Sequence, residues 1–415
     1  MQRRHLLRQA LQLSAGWSVG RTAWATETAD STPPPRLVVV FLRGAVDGLS
    51  VVVPHAEPAY QRARPDIALG SPGAEGGVLA LGGPWGLHPA LAPLLPLWHS
   101  RRLAFVHAAG SPDATRSHFD AQDFMESGTP GRKNTTDGWM NRLLGVLPAP
   151  GGDAPAPTRA VSIGTVLPRI YAGTQAVANI ASGAAATRPL PLDRPRVAQA
   201  FDALYQGDDV LSRTYQGAQQ SRREVMASIA LSVEDEMQAA NNGAPLPDGF
   251  PGDAARLATL MRNDPRVQLA FMALGGWDTH ANQGAATGQL ANRLAPLGQG
   301  LATLAERLGP ALEQTVIVVM SEFGRTVRQN GNGGTDHGHG NVLWLLGGPV
   351  AGGQVHGDWP GLDDSALHEG RDLAVTTDFR QVLAGIAEKH LRLPDERLGQ
   401  VFPGWSGTAA GVLRA

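Results

Sequence analysis

Five short apolar runs, separated by helical patterns, constrain the fold of this chain more than any other feature. The runs cover residues 37–42, 103–106, 267–274, 315–320 and 342–346. Continuous runs of this length, rich in β-branched residues, are typical of strands that are buried on both faces. Helical patterns lie between them, for example at 290–308, and one follows at 378–391. Strands that alternate with helices predict an α/β fold in which a mainly parallel sheet is sandwiched by helices.

The segment between the second and third runs has a different character. Residues 194–241 are polar on one side and lack strand signals, with a helical pattern at 210–240. We therefore interpret about 194–251 as a helical insertion. The stretches 148–157 and 242–251 are rich in Pro, Gly and Ala, which is typical of surface loops rather than domain boundaries. Residues 26–415 are thus expected to form a single domain.

The first 25 residues have the pattern of an export signal. Arg3-Arg4 precede leucines, a modestly apolar segment follows at 10–19, and Ala23-Trp24-Ala25 forms a small-x-small cleavage site. The arginine pair is similar to a twin-arginine signal, which a translocase reads to export folded proteins. The apolar segment is too short for a stable membrane span. The pattern predicts cleavage after Ala25, the twin-arginine translocase as a partner during export, and a periplasmic or secreted protein.

Composition excludes several classes of chemistry. The formal net charge is -2, and no basic patch interleaved with aromatic residues occurs, so we expect no nucleic-acid partner. The chain has no cysteine, which excludes disulfides, thiolate ligands and a cysteine nucleophile. Any metal site must therefore use nitrogen and oxygen ligands.

Polar side chains beside glycines follow four of the five predicted strands. The carboxyl ends of parallel strands meet at the edge of a sheet where ligands bind, and His and Asp are common donors to divalent metals. A further polar stretch, GTDHGHGN at 334–341, leads into the last strand. These positions predict a metal site with the candidate ligands Asp47, Asp278, His280, Glu322, Asp336, His337 and His339.

The identity of the ion and some of the roles stay open at this point. Asp278 and His280 are two residues apart, so on an extended backbone they point to the same side and can bind one ion. Nitrogen and oxygen ligands suggest zinc, manganese or iron, or else magnesium or calcium where carboxylates dominate. Asp47 also suits a turn. Ser117 is equally suited to cap a helix ending near Ser127 and to act as a nucleophile.

Six motifs occur in an order that resembles a known family. They are RGAVDGL at 43–49, SHFD at 117–120, GGWDTH at 275–280, SEFGRT at 321–326, GTDHGHG at 334–340 and TTDFR at 376–380. Together they resemble the bacterial export family catalogued as domain of unknown function 1501, over about residues 36–405. That family looks like a branch of the alkaline phosphatase and sulfatase superfamily.

The resemblance implies an alkaline-phosphatase-like fold and a two-metal hydrolase in which a serine or threonine attacks a phosphate or sulfate ester. Asp47 resembles the acid that follows the first strand of that superfamily. Ser117 resembles the nucleophile at a helix start, where backbone N–H groups favour an anion. Asp278 and His280 resemble the Asp and His pair of one metal site, although they are closer together here.

The other motifs depart further from the superfamily pattern. Glu322 and Phe323 stand where an Asp-His pair normally ends a strand. His337 or His339 resembles the later histidine that precedes another strand, and Asp336 with His337 can also be read as the missing pair. Sulfatases that use formylglycine need a modified Cys or Ser in a Pro-Arg context, and this chain lacks that pattern.

Two functions of different classes follow from these observations. The first is an exported metal-dependent hydrolase of small anionic phosphate or related esters, with Ser117 or a metal-activated water as the nucleophile. Arg116 or Arg325 is a candidate clamp for a substrate oxygen, and His118 is a candidate general acid or a neighbour at the helix start. The alternative is a non-catalytic exported protein that keeps the fold and binds a metal or an envelope ligand. Phe323 favours this alternative.

Overall fold

A nine-stranded sheet lies at the centre of the protein, and a three-stranded sheet lies beside it. The computed structural model describes residues 34–149, 157–183, 195–207, 209, 211–213, 216 and 241–414. The strands in these residues are β1 Arg36–Leu42, β2 Val52–Val53, β3 Leu79–Gly82, β4 Trp85–Leu87, β5 Leu103–Gly110, β6 Ala160–Ile163, β7 Ala178–Ile180, β8 Leu269–Leu274, β9 Thr315–Ser321, β10 Asn341–Gly347, β11 Val355–His356 and β12 Thr377–Asp378.

Helices cover the large sheet on both faces. The α-helices in the described residues are α1 Gly48–Val51, α2 Pro58–Ala63, α3 Leu95–His99, α4 His118–Ser127, α5 Trp139–Val146, α6 Pro195–Leu204, α7 Phe250–Asn263, α8 Gln289–Leu308, α9 Phe379–Lys389 and α10 Leu398–Val401. No described helix has the length and apolar character needed to cross a membrane.

The direction of β10 is the topological feature that shapes the site. The strand order is β11-β5-β10-β9-β1-β8-β6-β7, and β12 pairs with β5. Pairing is parallel throughout except at β10, which is antiparallel to both β9 and β5. The amino end of β10 therefore lies at the same edge as the carboxyl ends of β1, β5, β8 and β9.

Alternate residues of the central strands pack into two separate cores. Val38 and Val40 of β1 belong to the hydrophobic cluster that contains the apolar faces of α7 and α8. Val39 and Phe41 belong to the cluster that contains those of α5 and α9. Because side chains alternate across a strand, burial on both faces requires the continuous apolar run seen in the sequence.

The mainly parallel sheet sandwiched by helices is confirmed. Each of the five predicted strands is present, as β1, β5, β8, β9 and β10, and the helical patterns at 290–308 and 378–391 correspond to α8 and α9. The predicted signal peptide, residues 1–25, lies outside the described residues, as does most of the predicted helix at 210–240. Within the proposed insertion, the described residues include α6.

Two histidines in this core are buried as neutral rings. Nδ1 of His107 accepts a hydrogen bond from the Ala108 N–H at 3.1 Å, so its Nε2–H donates to the Val52 carbonyl at 2.9 Å. His88 has the same arrangement, with Ala90 N–H at 3.0 Å and the Ala285 carbonyl at 3.0 Å. Burial outweighs the backbone hydrogen bonds and lowers the pKa of both histidines from 6.5 to about 4.

We expect the free energy of unfolding to fall as the pH is lowered from 6.5 to 4, because the unfolded chain then binds more protons than the folded one. Each histidine should contribute up to about 3 kcal/mol over this range. Urea unfolding at several pH values measures this dependence. The His107→Gln variant keeps a donor for Val52 and should lose part of the slope. A slope equal to that of the wild type would contradict a neutral, buried His107.

Candidate metal centre

Four side chains meet at the edge of the sheet where β8 ends and β10 begins. His118 is the first residue of α4, which follows β5. Asp278 and His280 lie in the loop after β8, and His337 lies in the loop before β10. The antiparallel direction of β10 brings the last of these residues to the others.

The nitrogen and oxygen atoms of this group converge. His337 Nε2 lies 3.0 Å from His118 Nε2 and 3.0 Å from His280 Nε2. Asp278 Oδ1 lies 3.0 Å from His280 Nε2 and 3.3 Å from His337 Nε2, while its Oδ2 lies 3.6 Å from His118 Nε2. One ligand atom each of His118, Asp278 and His337 lie within 4.8 Å of one another, which is close enough to hold a metal ion.

The other ring nitrogen of each histidine faces an oxygen atom. The three pairs are His118 Nδ1 with Glu322 Oε1 at 2.8 Å, His280 Nδ1 with Asp336 Oδ1 at 3.1 Å, and His337 Nδ1 with the Arg116 carbonyl at 2.8 Å. A carbonyl or carboxylate oxygen accepts, so each Nδ1 carries the proton when the ring is neutral. The Nε2 lone pairs of His118 and His280 then both face His337 Nε2, and metal-binding histidines likewise donate their other ring N–H to an oxygen. The donor set therefore fits a divalent cation.

The charges of the group also favour a cation. Burial disfavours a charged imidazole, but the hydrogen bonds and charges of Asp278 and Glu322 outweigh it and raise the pKa of His118 to about 9. Burial likewise opposes the ionisation of Asp278, yet hydrogen bonds from His118, His337 and Arg325 lower its pKa. The contact between His118 and Asp278 contributes to both pKa shifts, and it stabilises a positive charge on the His118 ring.

Glu322 supports His118 from behind and lies outside the convergent atoms. It is fully buried, and its Oε1 also accepts from the Gly44 N–H at 2.8 Å and from Gln122 Nε2 at 3.0 Å. Although burial would raise its pKa, the contact with His118 lowers it, so the carboxylate is ionised. Asp336 has the equivalent place behind His280. Each of these two predicted ligands therefore contacts the Nδ1 side of a histidine in this structure.

Close backbone contacts explain the glycines of the loop before β10. A Cβ at Gly334 would lie 2.4 Å from the backbone of His280, and one at Gly338 would lie 2.5 Å from the backbone of Arg325. Arg325 and His337 form an isolated antiparallel bridge, so their side chains share a face and both reach Asp278. The glycines allow the loop to pack tightly enough to deliver His337.

Asp47, another predicted ligand, forms a buried ion pair with Arg64. It is fully buried, and its two oxygens accept hydrogen bonds from Arg64 Nη1 at 2.6 Å and from Arg64 Nη2 at 3.0 Å. Burial would raise the pKa of Asp47, but the Arg64 charge and hydrogen bonds lower it. The carboxylate is neutralised by an arginine, and we do not include it among the ligands.

His339 also lies outside the convergent atoms. Its ring packs beside that of His368, with a centroid separation of 4.6 Å. Burial, together with the charges of His368 and Arg116, lowers the pKa of His339 to about 4. Of the two histidines in the GTDHGHGN stretch, His337 alone contributes to the group.

Of the three predicted catalytic residues, one caps a helix, one is held by carboxylates and one belongs to the convergent group. Ser117 is exposed and caps α4, with its Oγ accepting from the Asp120 N–H at 3.4 Å. The Arg116 guanidinium is held by Asp372 and Glu369, each at 2.7 Å, so it is not free to clamp a substrate. His118, a candidate general acid or a neighbour at the helix start, is one of the convergent side chains.

Phe323, which stands where the superfamily pattern has a histidine, packs against two histidines of the site. It is buried, and its ring stacks on His118 with a centroid separation of 5.0 Å and lies 5.2 Å from the ring of His337. Arg325, the other candidate substrate clamp, donates from Nη1 to Asp278 Oδ1 at 2.6 Å. No sequence signal indicates this pairing, because the two residues belong to different loops.

The family model for the protein of unknown function DUF1501 matches residues 98–402, and the chain belongs to this family. The family expected from the motifs is therefore confirmed. Comparison with curated proteins finds no match.

Several solved structures are distantly similar. Ps i-CgsB in complex with k-i-k-neocarrahexaose is 11% identical, with 91% of this chain and 75% of that chain covered and a TM-score of 0.40. The C-terminal periplasmic domain of EcEptC from Escherichia coli, in complex with Zn, is 10% identical over 76% and 73%, with a TM-score of 0.35. Alkaline phosphatase from the Antarctic bacterium TAB5 is 11% identical over 79% and 95%, with a TM-score of 0.34. The chemistry of the site has to be inferred from its own residues.

We expect His337→Ala to weaken zinc binding by more than about 100-fold, since loss of an outer contact alone typically costs 10–100-fold. His339→Ala, which removes a buried histidine two residues away, is the matched control and should bind zinc within about threefold of the wild type. Competition with a chromophoric chelator measures both affinities. Equal losses in the two variants would contradict the placement of the ligand group.

Proposed function

We propose that this protein is an exported metal-dependent hydrolase of phosphate or related esters, with its cation held by His118, Asp278, His280 and His337. The observation that supports this proposal is the convergence of three Nε2 atoms and a carboxylate at the edge of the sheet. Three nitrogen donors and one oxygen donor suit zinc best, then manganese or iron. Magnesium and calcium, which prefer oxygen ligands, fit less well.

When bound, the cation supplies Lewis-acid stabilisation of the negative charge that develops on the oxygens of the transferred group. Ser117 is the proposed nucleophile. It lies between Arg116, whose carbonyl binds His337, and the ligand His118. Its Oγ accepts from Asp120, which leaves the hydroxyl proton free to be lost.

In this reaction the Ser117 oxygen forms a bond to phosphorus while the ester P–O bond breaks. The leaving alkoxide takes up the serine proton and departs as the alcohol, and water then hydrolyses the phosphoserine, which releases phosphate and restores the hydroxyl. The start of α4 favours this step, because the free N–H groups and dipole of a helix start attract an anion. A water molecule as the direct nucleophile is the other form of the same proposal.

The proposed location is the periplasm or the extracellular space. Its support is the arginine pair Arg3-Arg4 and the small-residue cleavage pattern ending at Ala25. Export by the twin-arginine translocase in the folded state would permit metal loading in the cytoplasm. The partner in the mature state is a small anionic ester.

A non-catalytic metal-binding or ligand-binding protein is the second candidate. Two observations favour it: Phe323 covers the ligand group on one side, and the Arg116 guanidinium is engaged by carboxylates. In addition, the described residues contain a single group of ligand atoms rather than two. A site with one ion and no free substrate clamp suits binding as well as chemistry.

Ser117→Ala and Ser117→Asn separate the capping role of Ser117 from its proposed chemistry. Asn caps helices as well as Ser does but has no hydroxyl, so both variants should lose at least about 100-fold in kcat if Ser117 is the nucleophile. Hydrolysis of aryl phosphate, phosphodiester and aryl sulfate by the zinc-loaded and manganese-loaded protein provides the assay. Activity that is retained in Ser117→Asn would assign the attack to water. Absence of hydrolysis in a metal-loaded wild type would favour the binding protein.

A further inference from the structure

A buried polar network starts at Asp47 and ends at the ligand group. The side chains of Asp47 and Arg64 are inaccessible to solvent and form a bidentate ion pair. Arg64 also donates to the backbone carbonyls of Val327 and Thr326 at 2.9 Å each. Every donor of this arginine therefore points to a fixed acceptor, which holds the Asp47 carboxylate in one orientation.

The orientation of the Gln283 amide is set by its hydrogen bond to Asp47. This side chain is fully buried, and its Nε2 donates to Asp47 Oδ2 at 2.7 Å and to Ser50 Oγ at 3.3 Å. Because an ionised carboxylate accepts but cannot donate, the amide cannot flip. Its Oε1 must then face the hydroxyl groups of Thr279 at 2.8 Å and Thr335 at 2.9 Å.

The Thr335 hydroxyl links Gln283 to Arg325 through two hydrogen bonds. Its hydroxyl donates its single proton to Gln283, so the oxygen is left to accept from Arg325 Nε at 3.1 Å. Nη2 of Arg325 donates to the Thr335 carbonyl, and Nη1 donates to Asp278 Oδ1 at 2.6 Å. The guanidinium is thus fixed along one edge before it meets Asp278, and its side chain is inaccessible to solvent.

We infer that Asp47 and Gln283 are positioning residues, which act through Thr335 and Arg325 to hold the Asp278 carboxylate in the ligand group. This inference rests on the proposed metal site. In each of the three hydrogen bonds from Asp47 to Arg325, only one partner can donate. The donor and acceptor roles follow from the Asp47 carboxylate, which can only accept. Loss of the hydrogen bond to Gln283 lets the Thr335 hydroxyl rotate, and loss of that hydroxyl leaves the buried Arg325 Nε–H without an acceptor. In both cases we expect Arg325 and Asp278 to shift together.

Thr335→Val, Thr335→Ser and Thr279→Val test this relay. Val has nearly the shape of Thr but no hydroxyl, whereas Ser keeps the hydroxyl. Thr279 is the matched control, because it is equally buried and its hydroxyl donates to the same Gln283 oxygen, whereas the hydroxyl that accepts from Arg325 Nε belongs to Thr335. The measurements are zinc affinity by chelator competition, the visible spectrum of the cobalt-loaded protein and the urea midpoint of unfolding.

Thr335→Val should bind zinc about tenfold more weakly, as expected for an outer contact of a ligand, and should show an altered cobalt spectrum. Thr335→Ser should restore both properties. Thr279→Val should keep wild-type affinity and spectrum while its urea midpoint falls as much as that of Thr335→Val. Equal metal affinities in the two valine variants would overturn the relay, whatever their stabilities.

A second readout keeps the relay separate from the proposed function. If the wild type binds neither zinc nor cobalt, the proposed function fails, and the relay is judged by hydrogen exchange of the Arg325 Nε–H in protein labelled with ¹⁵N-arginine. Slow exchange in the wild type and Thr279→Val, with fast exchange in Thr335→Val and in Gln283→Met, would support the relay. Equal exchange rates in all four proteins would overturn it.

Discussion

The antiparallel pairing of β10 between β9 and β5 is the constraint on which the site depends. In an all-parallel sheet, the loop before β10 would lie at the opposite edge, far from the residues that follow β8. The reversed strand returns this loop to the carboxyl edge, where His337 meets Asp278 and His280. Glycines at the close approaches then let the loop pack against the chain around His280 and Arg325. One reversal of direction therefore brings the loop before β10 to the two other parts of the chain that form the site.

Carboxylates and a backbone carbonyl behind the histidines give the site its chemical character. By holding each Nδ1 proton, they leave the three Nε2 atoms as the donors that face inward. Arg325 donates a hydrogen bond to one oxygen of Asp278 and so orients this carboxylate. The inner atoms are thus oriented by hydrogen bonds to other parts of the protein. Such preorganisation is what a metal site needs if the cation is to bind without rearranging the protein.

Local patterns in the sequence were enough to predict the strands and the edge at which polar residues gather. Burial on both faces produces a continuous apolar run, so β1 and β9 are evident from a few residues each. The direction of β10 was not predictable, because parallel and antiparallel central strands have the same apolar pattern when both faces are covered. The glycine-rich loop was recognisable as a candidate ligand loop, although only the three-dimensional structure shows that His337, and not His339, lies among the convergent atoms.

The roles of the acidic residues were the least predictable part. Asp47, Glu322 and Asp336 have the residue type of ligands, and each lies near a strand or loop that leads to the site. Their roles depend on partners from other elements: Arg64 for Asp47, His118 for Glu322 and His280 for Asp336. These pairings arise when α2, α4 and the loops pack together. Residue type indicates what a side chain can bind, whereas packing decides which partner it finds.

The most direct test of the metal centre is zinc X-ray absorption spectroscopy on the loaded protein, combined with the zinc content per chain. We expect one zinc per chain with nitrogen and oxygen neighbours at about 2.0–2.2 Å. We also expect the outer-shell scattering of three imidazole rings, from His118, His280 and His337. A first shell without imidazole scattering, or a wild type that takes up no zinc, would contradict it.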